Sequence, residues 1–298
     1  MALTECNTTV GSDGRELLTH GTTAFPIACY EDDFRVCNVP WHWHEEWEAV
    51  LITQGNCLVS AGNHKALLHA GEGFFVHSGA LHGCWDDAAS GCMFHSMVFH
   101  PRLVGGSLDS IFHQQFVQPL LDCNGPELIV LKPDNPWQKR ALESIEAAWQ
   151  SFVREQDGFP FQVRNHLSEL IYLLCCHLSS VVPSVRSKDL RDAQRIKAML
   201  SRIHNCYGSP LTICDIADCV SISESECLRC FRTTIGTTPI QYLKQYRIQQ
   251  ATRLLSETHQ KISDIAVSCG FQDMSYFTRS FREQMGCSPS EYRKTAAQ

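Results

Sequence analysis

The feature that most constrains the fold is residues 262–293, which read ISDIAVSCGFQDMSYFTRSFREQMGCSPSEYR. Apolar or small residues recur at helical spacing over 262–269, and Gly270 follows as a stop signal. Asp273 is placed to cap a second helix by accepting backbone N–H bonds. We expect the buried face of that helix to carry Phe277, Phe281 and Met285. Two short helices with a glycine turn between them, the second basic on its outside, are typical of a helix-turn-helix, whose second helix enters the major groove.

The same stretch resembles the signature of the AraC/XylS family of bacterial transcription regulators. The resemblance rests on Ile265-Ala266, Gly270-Phe271, Asp273, Ser275-Tyr276-Phe277, Arg279, Phe281, Gly286, Pro289 and Tyr292-Arg293. It implies a DNA-binding domain with two helix-turn-helix units.

An internal repeat supplies the second unit. Ile216-Ala217 returns 49 positions later, whereas Phe231 and Tyr242 return 50 positions later, so one residue is inserted in the second copy. We predict helix-turn-helix units at about 212–235 and 262–285, with a leading helix at about 190–205 before the first. Thr238 and Pro239 predict the start of a connecting helix between the units.

The outward faces of the two recognition helices give the candidate DNA contacts. Arg229 and Arg279 are the best candidates for base or phosphate contacts, and Arg232 and Arg282 for phosphates. Leu228 is a candidate, like Met274 in the second unit, for contact with a thymine methyl group. The remaining candidates are Ser225, Ser275 and Thr278. Glu224 and Glu226 lie in the first turn of the first recognition helix, where we expect them to point away from DNA or to read a cytosine amino group.

Charge is divided unevenly along the chain. The net charge is −7, but residues 186–298 hold 16 Lys and Arg against 11 Asp and Glu, whereas residues 1–185 hold 9 against 21. A basic segment joined to an acidic one is the charge pattern of a DNA-reading module attached to a sensor module.

The 16 cysteines are scattered, and we find neither a signal-peptide pattern nor an apolar run long enough to cross a membrane. These observations predict a cytoplasmic protein whose reduced thiols act as small buried hydrophobes. We expect the C-x-x-C of Cys227 and Cys230 to pack in a core rather than to bind zinc.

Short apolar runs cut by turn residues predict a β-barrel or sandwich in the first half of the chain. The spacing of His42, His44, Glu48 and Gly55 matches the first cupin motif, and Gly71, Gly79 and His82 resemble the second, although His77 replaces its usual proline. The resemblance implies a jelly-roll barrel that binds an effector. In metal-binding cupins the positions of His42, His44, Glu48 and His82 hold a divalent ion.

Two interpretations of these four residues stay open. Imidazoles with one carboxylate suit Fe, Mn, Zn or Ni, and would make the barrel a metal-dependent enzyme or a metal or pH sensor. The other interpretation is a polar lining that contacts an organic effector, which Trp43 would help to bind. We expect no cofactor, with a divalent metal in the barrel as the alternative.

The expected fold class is α+β and multidomain. The predicted segments are a tail at 1–24, a cupin-like barrel at 25–135, a helical hairpin at 136–180, a linker at 181–188 and an all-α DNA-binding domain at 189–298. The apolar hairpin either covers the barrel or pairs with its copy in a second subunit, and the family resemblance implies dimerisation there. We therefore predict a non-enzymatic regulator that binds promoter DNA, an effector and RNA polymerase as a homodimer, with no membrane partner.

Overall fold

A computed structural model gives the structure of the chain. It describes residues 8, 10–11, 14–35, 39–62, 64–87, 90–122, 126–178 and 187–296. Positions 181–186, which make up most of the predicted linker, lie outside the described residues, as do 1–7, 9 and 12–13 of the predicted tail. The chain divides into two compact units, Arg15–Ala193 and Gln194–Gln298.

The first unit is built on two antiparallel sheets, which confirms the predicted cupin-like β fold. One sheet has the order β1-β8-β3-β6-β9 and the other the order β2-β7-β4-β5. The strands are β1 (Ile27–Asp33), β2 (Val39–His42), β3 (Trp47–Gln54), β4 (Asn56–Ala61), β5 (His64–His69), β6 (Gly73–Val76), β7 (His82–Asp86), β8 (Met93–Phe99) and β9 (Leu128–Leu131).

Strand β3 shows how alternation divides the side chains of the five-stranded sheet. Val50 and Ile52 are fully buried among residues of the other sheet, in a core that also holds Val59 and Leu68. Glu48 shares their face because strand side chains alternate with a period of two. Trp47 and Ala49, on the opposite face, join a second core.

Helices α3 (Pro136–Arg154) and α4 (Phe159–Leu178) form that second core and cover the outer face of the five-stranded sheet. Ile145 and Leu170, each fully buried, pack in it beside Trp47. The Nε1–H group of Trp149 on α3 donates a hydrogen bond of 3.0 Å to the Tyr30 carbonyl of β1. Of the two partners considered for the hairpin, the barrel is therefore the one that the structure shows.

The start of α4 differs from the sequence prediction. The sequence Gly158-Phe159-Pro160 predicts a break between two helices, but Phe159 and Pro160 already lie in α4. Glu155 and Gly158 have positive φ values of 46° and 78°, so the turn ends two residues earlier. Proline is tolerated in a first helical turn because its missing N–H would have no partner there.

Short helices connect β8 to β9. They are α1 (Arg102–Gly105), a π-helical turn (His113–Val117) and α2 (Gln118–Leu121). Across the described residues, no helix combines the length and the apolar character needed to span a bilayer.

The second unit is all helical. The division between the units falls within α5 (Ser187–Cys206). The elements that follow are α6 (Ile213–Asp218), α7 (Glu224–Thr234), α8 (Pro239–Glu257), α9 (Ile262–Ser268), α10 (Met274–Met285) and α11 (Pro289–Ala296). The pairs α6–α7 and α9–α10 occupy the two predicted helix-turn-helix positions, and α8 connects them.

Each helix-turn-helix has a small core, and the predicted caps are present. Phe277 and Phe281 of α10 are fully buried against Ile248 of α8. The Asp273 carboxylate accepts a hydrogen bond of 2.6 Å from the backbone N–H of Tyr276. Cys227, predicted to act as a buried hydrophobe, is fully buried on α7.

Gly270 makes the turn of the second unit. Its φ is +81°, and a Cβ there would clash with the Tyr207 carbonyl oxygen. Ser221 stands 49 positions earlier, at the equivalent turn of the first unit, and it adopts φ +53°. The left-handed conformation that glycine adopts freely is thus kept in both turns, although the first copy lacks glycine.

Thr238 caps α8 with a capping box in which its side chain and that of Gln241 each accept a backbone N–H bond. Thr238→Ala removes half of that arrangement, and we expect the second unit to lose about 0.5–2 kcal/mol of unfolding free energy. Thr252→Ala, inside the same helix, is the control and should be close to neutral. Urea denaturation monitored by circular dichroism measures both, and equal midpoints for the two variants would contradict the capping role.

Candidate effector site and nucleic-acid interface

Four polar side chains meet inside the barrel. His42 ends β2, Glu48 lies on β3, His82 begins β7, and His44 lies between β2 and β3. His42 pairs directly with His82 across the β2–β7 ladder. One ligand atom from each of the four residues lies within 4.8 Å of the others, and all four residues are buried. We call this set the His₃Glu cluster.

Backbone carbonyls fix the orientation of all three imidazoles. The Nδ1 atoms of His42, His44 and His82 lie 2.8, 3.1 and 2.9 Å from the carbonyl oxygens of Pro40, Glu46 and Ala80. A carbonyl only accepts hydrogen bonds, so each Nδ1 carries a proton and donates it. The Nε2 atoms are then the ones directed at the cluster, which is the arrangement that orients metal-binding histidines.

The Nε2 atoms of His44 and His82 are buried without a hydrogen-bond partner among the described residues. The Nε2 of His82 is 2.8 Å from Glu48 Oε2, but the two groups lack the alignment of a hydrogen bond. The Nε2 of His44 is 3.8 Å from the same oxygen. Buried polar atoms of this kind are rare unless a ligand or ion completes them.

The cluster holds ionised and neutral groups side by side. Burial and the neighbouring His82 lower the pKa of His42 to about 3, which keeps it neutral. Burial alone would raise the pKa of Glu48, but the imidazoles of His44 and His82 hold it well below its usual range. Burial would lower the pKa of His82, but Glu48 outweighs it and raises that pKa. A cation bound at the cluster would therefore displace the Nε2 proton of His82, whose pKa Glu48 raises.

The cavity beside the cluster is small. Its volume is about 30 Å³, room for about one water molecule. Residues of the cluster and of β1 and β8 line it, among them Tyr30, His42, Glu48 and Ser96. Ser96 Oγ donates a hydrogen bond of 3.1 Å to Glu48 Oε1 and so fixes that carboxylate.

Trp43, predicted to contact an effector, lies on the other side of its strand. The Arg15 guanidinium stands 5.6 Å from its ring centroid, and Trp43 is not one of the residues that line the cavity. Because strand side chains alternate, His42 and His44 point to the interior and Trp43 between them does not.

The outward face of α10 carries the predicted DNA contacts of the second unit together. Arg279 and Arg282 are exposed, as are Met274 and Ser275, while Thr278 is half-buried. These five residues and Glu283 line one open groove on the helix surface. The structure therefore brings this part of the predicted set onto a single face.

The corresponding face of α7 is different. Ser225 and Arg232 are exposed and Leu228 is half-buried. Arg229 forms two hydrogen bonds of 2.8 Å with the Glu226 carboxylate. Arg195 of α5 lies 3.5 Å from the same carboxylate.

Two family models match the chain. An AraC-like ligand-binding domain model matches residues 25–171, and a helix-turn-helix domain model matches residues 216–295. The chain is an AraC-family transcriptional regulator. YdeC of Bacillus subtilis, an uncharacterized HTH-type transcriptional regulator, is 27% identical over 97% of this chain and 98% of its own length.

This AraC-family regulator also resembles one curated activator over most of its length and one solved structure over about a third of it. The HTH-type transcriptional activator RhaR of Shigella dysenteriae is 26% identical over 86% of this chain and 88% of its own. A solved transcriptional regulator with an AraC-type DNA-binding domain, from Chromobacterium violaceum, is 30% identical and covers 35% of this chain and 94% of its own, with a TM-score of 0.34.

Sequence reasoning missed two residues at the regulator's cluster. Glu16 and His20 precede the barrel, where the sequence shows no pattern, yet both are buried. Glu16 Oε2 lies 3.8 Å from His42 Nε2, and the rings of His20 and His44 are 5.4 Å apart. The only signal available was a carboxylate and a histidine four residues apart, which is too common to single out.

Glu226 has partners that the sequence prediction did not include. It is paired with Arg229 and Arg195, whereas its expected position relative to DNA stays a prediction. Exposed pairs at this spacing contribute little stability, so the main effect of the carboxylate is to occupy the arginine.

Glu226→Gln should therefore strengthen DNA binding by the regulator. The variant releases Arg229 and removes a negative charge near the phosphates, so we expect tighter binding and a salt slope steeper by about 0.9 for one added phosphate contact. Fluorescence anisotropy at several salt concentrations measures this. Glu257→Gln makes the same charge change at the exposed end of α8, and an equal effect there would show that net charge alone is responsible.

Proposed function

We propose that α10 and α7 enter successive major grooves of a promoter, and that α10 dominates sequence specificity. The observation that carries this proposal is the exposed face of α10, where Arg279 and Arg282 stand opposite the buried Phe277 and Phe281. The 19 residues of α8 give a rigid connection of about 28 Å. Successive grooves on one DNA face are about 34 Å apart, so a connection of this length suits two reading helices.

The asymmetry of the two heads supports the dominant role of α10. The groove on α10 holds two exposed arginines, whereas on α7 the equivalent of Arg279 is held by a carboxylate. An arginine recognises guanine through two parallel hydrogen bonds, and Arg229 uses that same pair of donors on Glu226.

We also propose that the His₃Glu cluster is the site through which the barrel senses its effector. Its residues come from β2, β3, β7 and the β2–β3 connection, so an occupant would bind several strands together. A ligand that binds only the folded barrel stabilises it by mass action. Occupancy of the cluster would therefore change the stability of the barrel.

A divalent cation is the effector that the cluster fits best. The observation favouring it is that the buried Nε2 atoms of His44 and His82 lack hydrogen bonds among the described residues and lie beside the Glu48 carboxylate. Three imidazole nitrogens and one carboxylate oxygen suit Mn, Fe, Ni or Zn. His42, His44, Glu48 and His82 would hold the ion, whose positive charge would offset the buried carboxylate. We propose that the ion acts as a signal rather than as a catalytic centre.

The remaining partners follow from the same proposal. The hairpin leaves apolar surface outside the barrel contact, including Phe161 and Tyr172 of α4, which are 74% and 51% exposed. That surface supports homodimerisation through α4. RNA polymerase is the further partner proposed for a promoter-bound regulator in the cytoplasm.

Genome-wide mapping of bound DNA in the source organism tests the proposal. We expect a small number of promoters with a shared two-part site spaced by about one helical turn. Anisotropy with one such promoter, with and without Mn²⁺ or Zn²⁺, then tests the sensor. A cation that leaves promoter affinity unchanged would remove the cation candidate and leave the DNA-reading proposal intact.

A further inference from the structure

The segment before β1 lies against the barrel beside the His₃Glu cluster. Arg15 forms a parallel bridge with Trp43, and the backbone N–H of Glu16 donates a hydrogen bond of 2.9 Å to the Trp43 carbonyl. The Arg15 guanidinium lies 3.1 Å from the Glu45 carboxylate. Trp43 separates the two cluster histidines His42 and His44, so the segment is tied to the strand connection that carries them.

The Glu16 side chain points from this segment into the barrel. It is 9% exposed, and its Oε2 atom lies 3.0 Å from His20 Nε2 and 3.8 Å from His42 Nε2. His20 in turn lies 2.8 Å from the Tyr30 hydroxyl through Nδ1. His20 therefore holds the Glu16 carboxylate at the edge of the cluster.

Three carboxylate side chains face the cavity beside the cluster. Glu16, Asp32 and Glu48 are buried, and all three line it. The residues that line the cavity, within the part of the chain that the structure describes, include no lysine or arginine. Buried carboxylates require a positive partner.

Two carboxylates match the charge of one divalent cation. The motif residues supply one carboxylate, Glu48, which leaves one positive charge of the ion unbalanced in a buried site. Glu16 faces the same cavity as Glu48 and contacts His42, whose Nε2 is directed at the cluster. An oxygen ligand from this side would complete both the charge and a coordination position that the four motif residues leave open.

We infer that Glu16 is a further ligand of a divalent cation held by the His₃Glu cluster, and that the bound cation fixes residues 15–20 on the barrel. This inference rests on the proposed cation-sensing function. Cation binding at the buried cluster would therefore also restrain a residue at the protein surface, because Leu17 of the same segment is 65% exposed. Glu16 lies outside the cupin-like motifs, so their spacing does not predict that it is a ligand.

The test compares the full-length chain with Glu16→Gln, Glu16→Asp, His44→Ala and Glu143→Gln. Mn²⁺ is the probe because it prefers nitrogen and oxygen ligands over the exposed thiols of this chain. Free Mn²⁺ measured by electron paramagnetic resonance gives the affinity. The rate of chymotrypsin cleavage at Leu17, with and without Mn²⁺, gives the protection of the segment.

We expect Glu16→Gln to weaken Mn²⁺ binding by more than about 100-fold, as for loss of a direct ligand, and to lose the Mn²⁺-dependent protection at Leu17. Glu16→Asp keeps a carboxylate and should recover part of the affinity. Glu143→Gln removes an exposed carboxylate of α3, outside the segment and the cluster, and should behave like the wild type. If Glu16→Gln keeps the wild-type affinity or the wild-type protection, Glu16 is not a ligand, and the proposed cation function is unaffected. If the wild type binds no Mn²⁺ at the site that His44→Ala removes, the cation function falls together with this inference.

Discussion

His44→Ala is expected to abolish divalent-cation binding by the barrel. His44 supplies one of three Nε2 atoms in the His₃Glu cluster, and its orientation is fixed by a hydrogen bond from Nδ1 to the Glu46 carbonyl. Loss of residues that merely orient metal ligands costs about 10- to 100-fold in affinity, so loss of a direct ligand should exceed about 100-fold. Competition with a chelator of known affinity, or calorimetry, measures the effect.

Thermal unfolding separates loss of binding from loss of folding. A cation at 100 times its Kd should stabilise the wild-type barrel by about 2.7 kcal/mol and the variant by nothing. His64→Ala is the matched control, since His64 is an exposed histidine on β5 outside the cluster. If the cation stabilises the His44→Ala protein as much as the wild type, the cluster is not the cation site. His44→Gln, closer in size, serves if the alanine variant fails to fold.

The cluster was predictable because strand pairing converts sequence spacing into geometry. His42 ends β2, His44 lies in the connection to β3, Glu48 lies on β3, and His82 starts the strand that pairs with β2. Alternation then predicts which side chains point inward, and it explains why Trp43 does not join them. The motif spacing was therefore enough to predict that these four side chains meet.

Glu16 and His20 could not be predicted in the same way. They lie in no helix or regular strand, and their position depends on isolated contacts such as the bridge between Arg15 and Trp43. Irregular segments carry no periodic pattern, because neither a 3.6-residue nor a two-residue repeat applies to them. Their role emerges only when the barrel has placed His42 beside them.

The helical half shows a similar division. The buried faces of α10 and α8 follow from apolar spacing, and the caps Asp273 and Thr238 follow from residue type. The Glu226–Arg229 pair was accessible from its spacing of three residues, which places the two side chains on one helix face. The third partner, Arg195, comes from another helix, so its contribution required the packing of α5 on α7.

Arg279→Ala should cost the regulator about 1–3 kcal/mol of specific DNA binding, or about 5- to 150-fold in Kd. Arg279 is exposed on the face of α10 that also holds Ser275 and Arg282. Its guanidinium lies 5.7 Å from the Tyr276 ring centroid, a position that limits its freedom before DNA is bound. A preorganised arginine loses less entropy when it binds a base, which places the expected effect in the upper part of that range.

The pattern of the loss identifies the kind of contact. A base contact made by Arg279 would relax specificity at one position of the site, whereas a phosphate contact would weaken all sequences alike and reduce the salt slope by about 1. Arg140→Ala removes the same charge from α3, in the barrel unit, and should leave promoter affinity unchanged. Anisotropy with the mapped promoter and with single-base variants distinguishes these outcomes. Equal affinities for wild type and Arg279→Ala on the mapped promoter would move the dominant reading role from α10 to α7, where Arg232 is the exposed arginine.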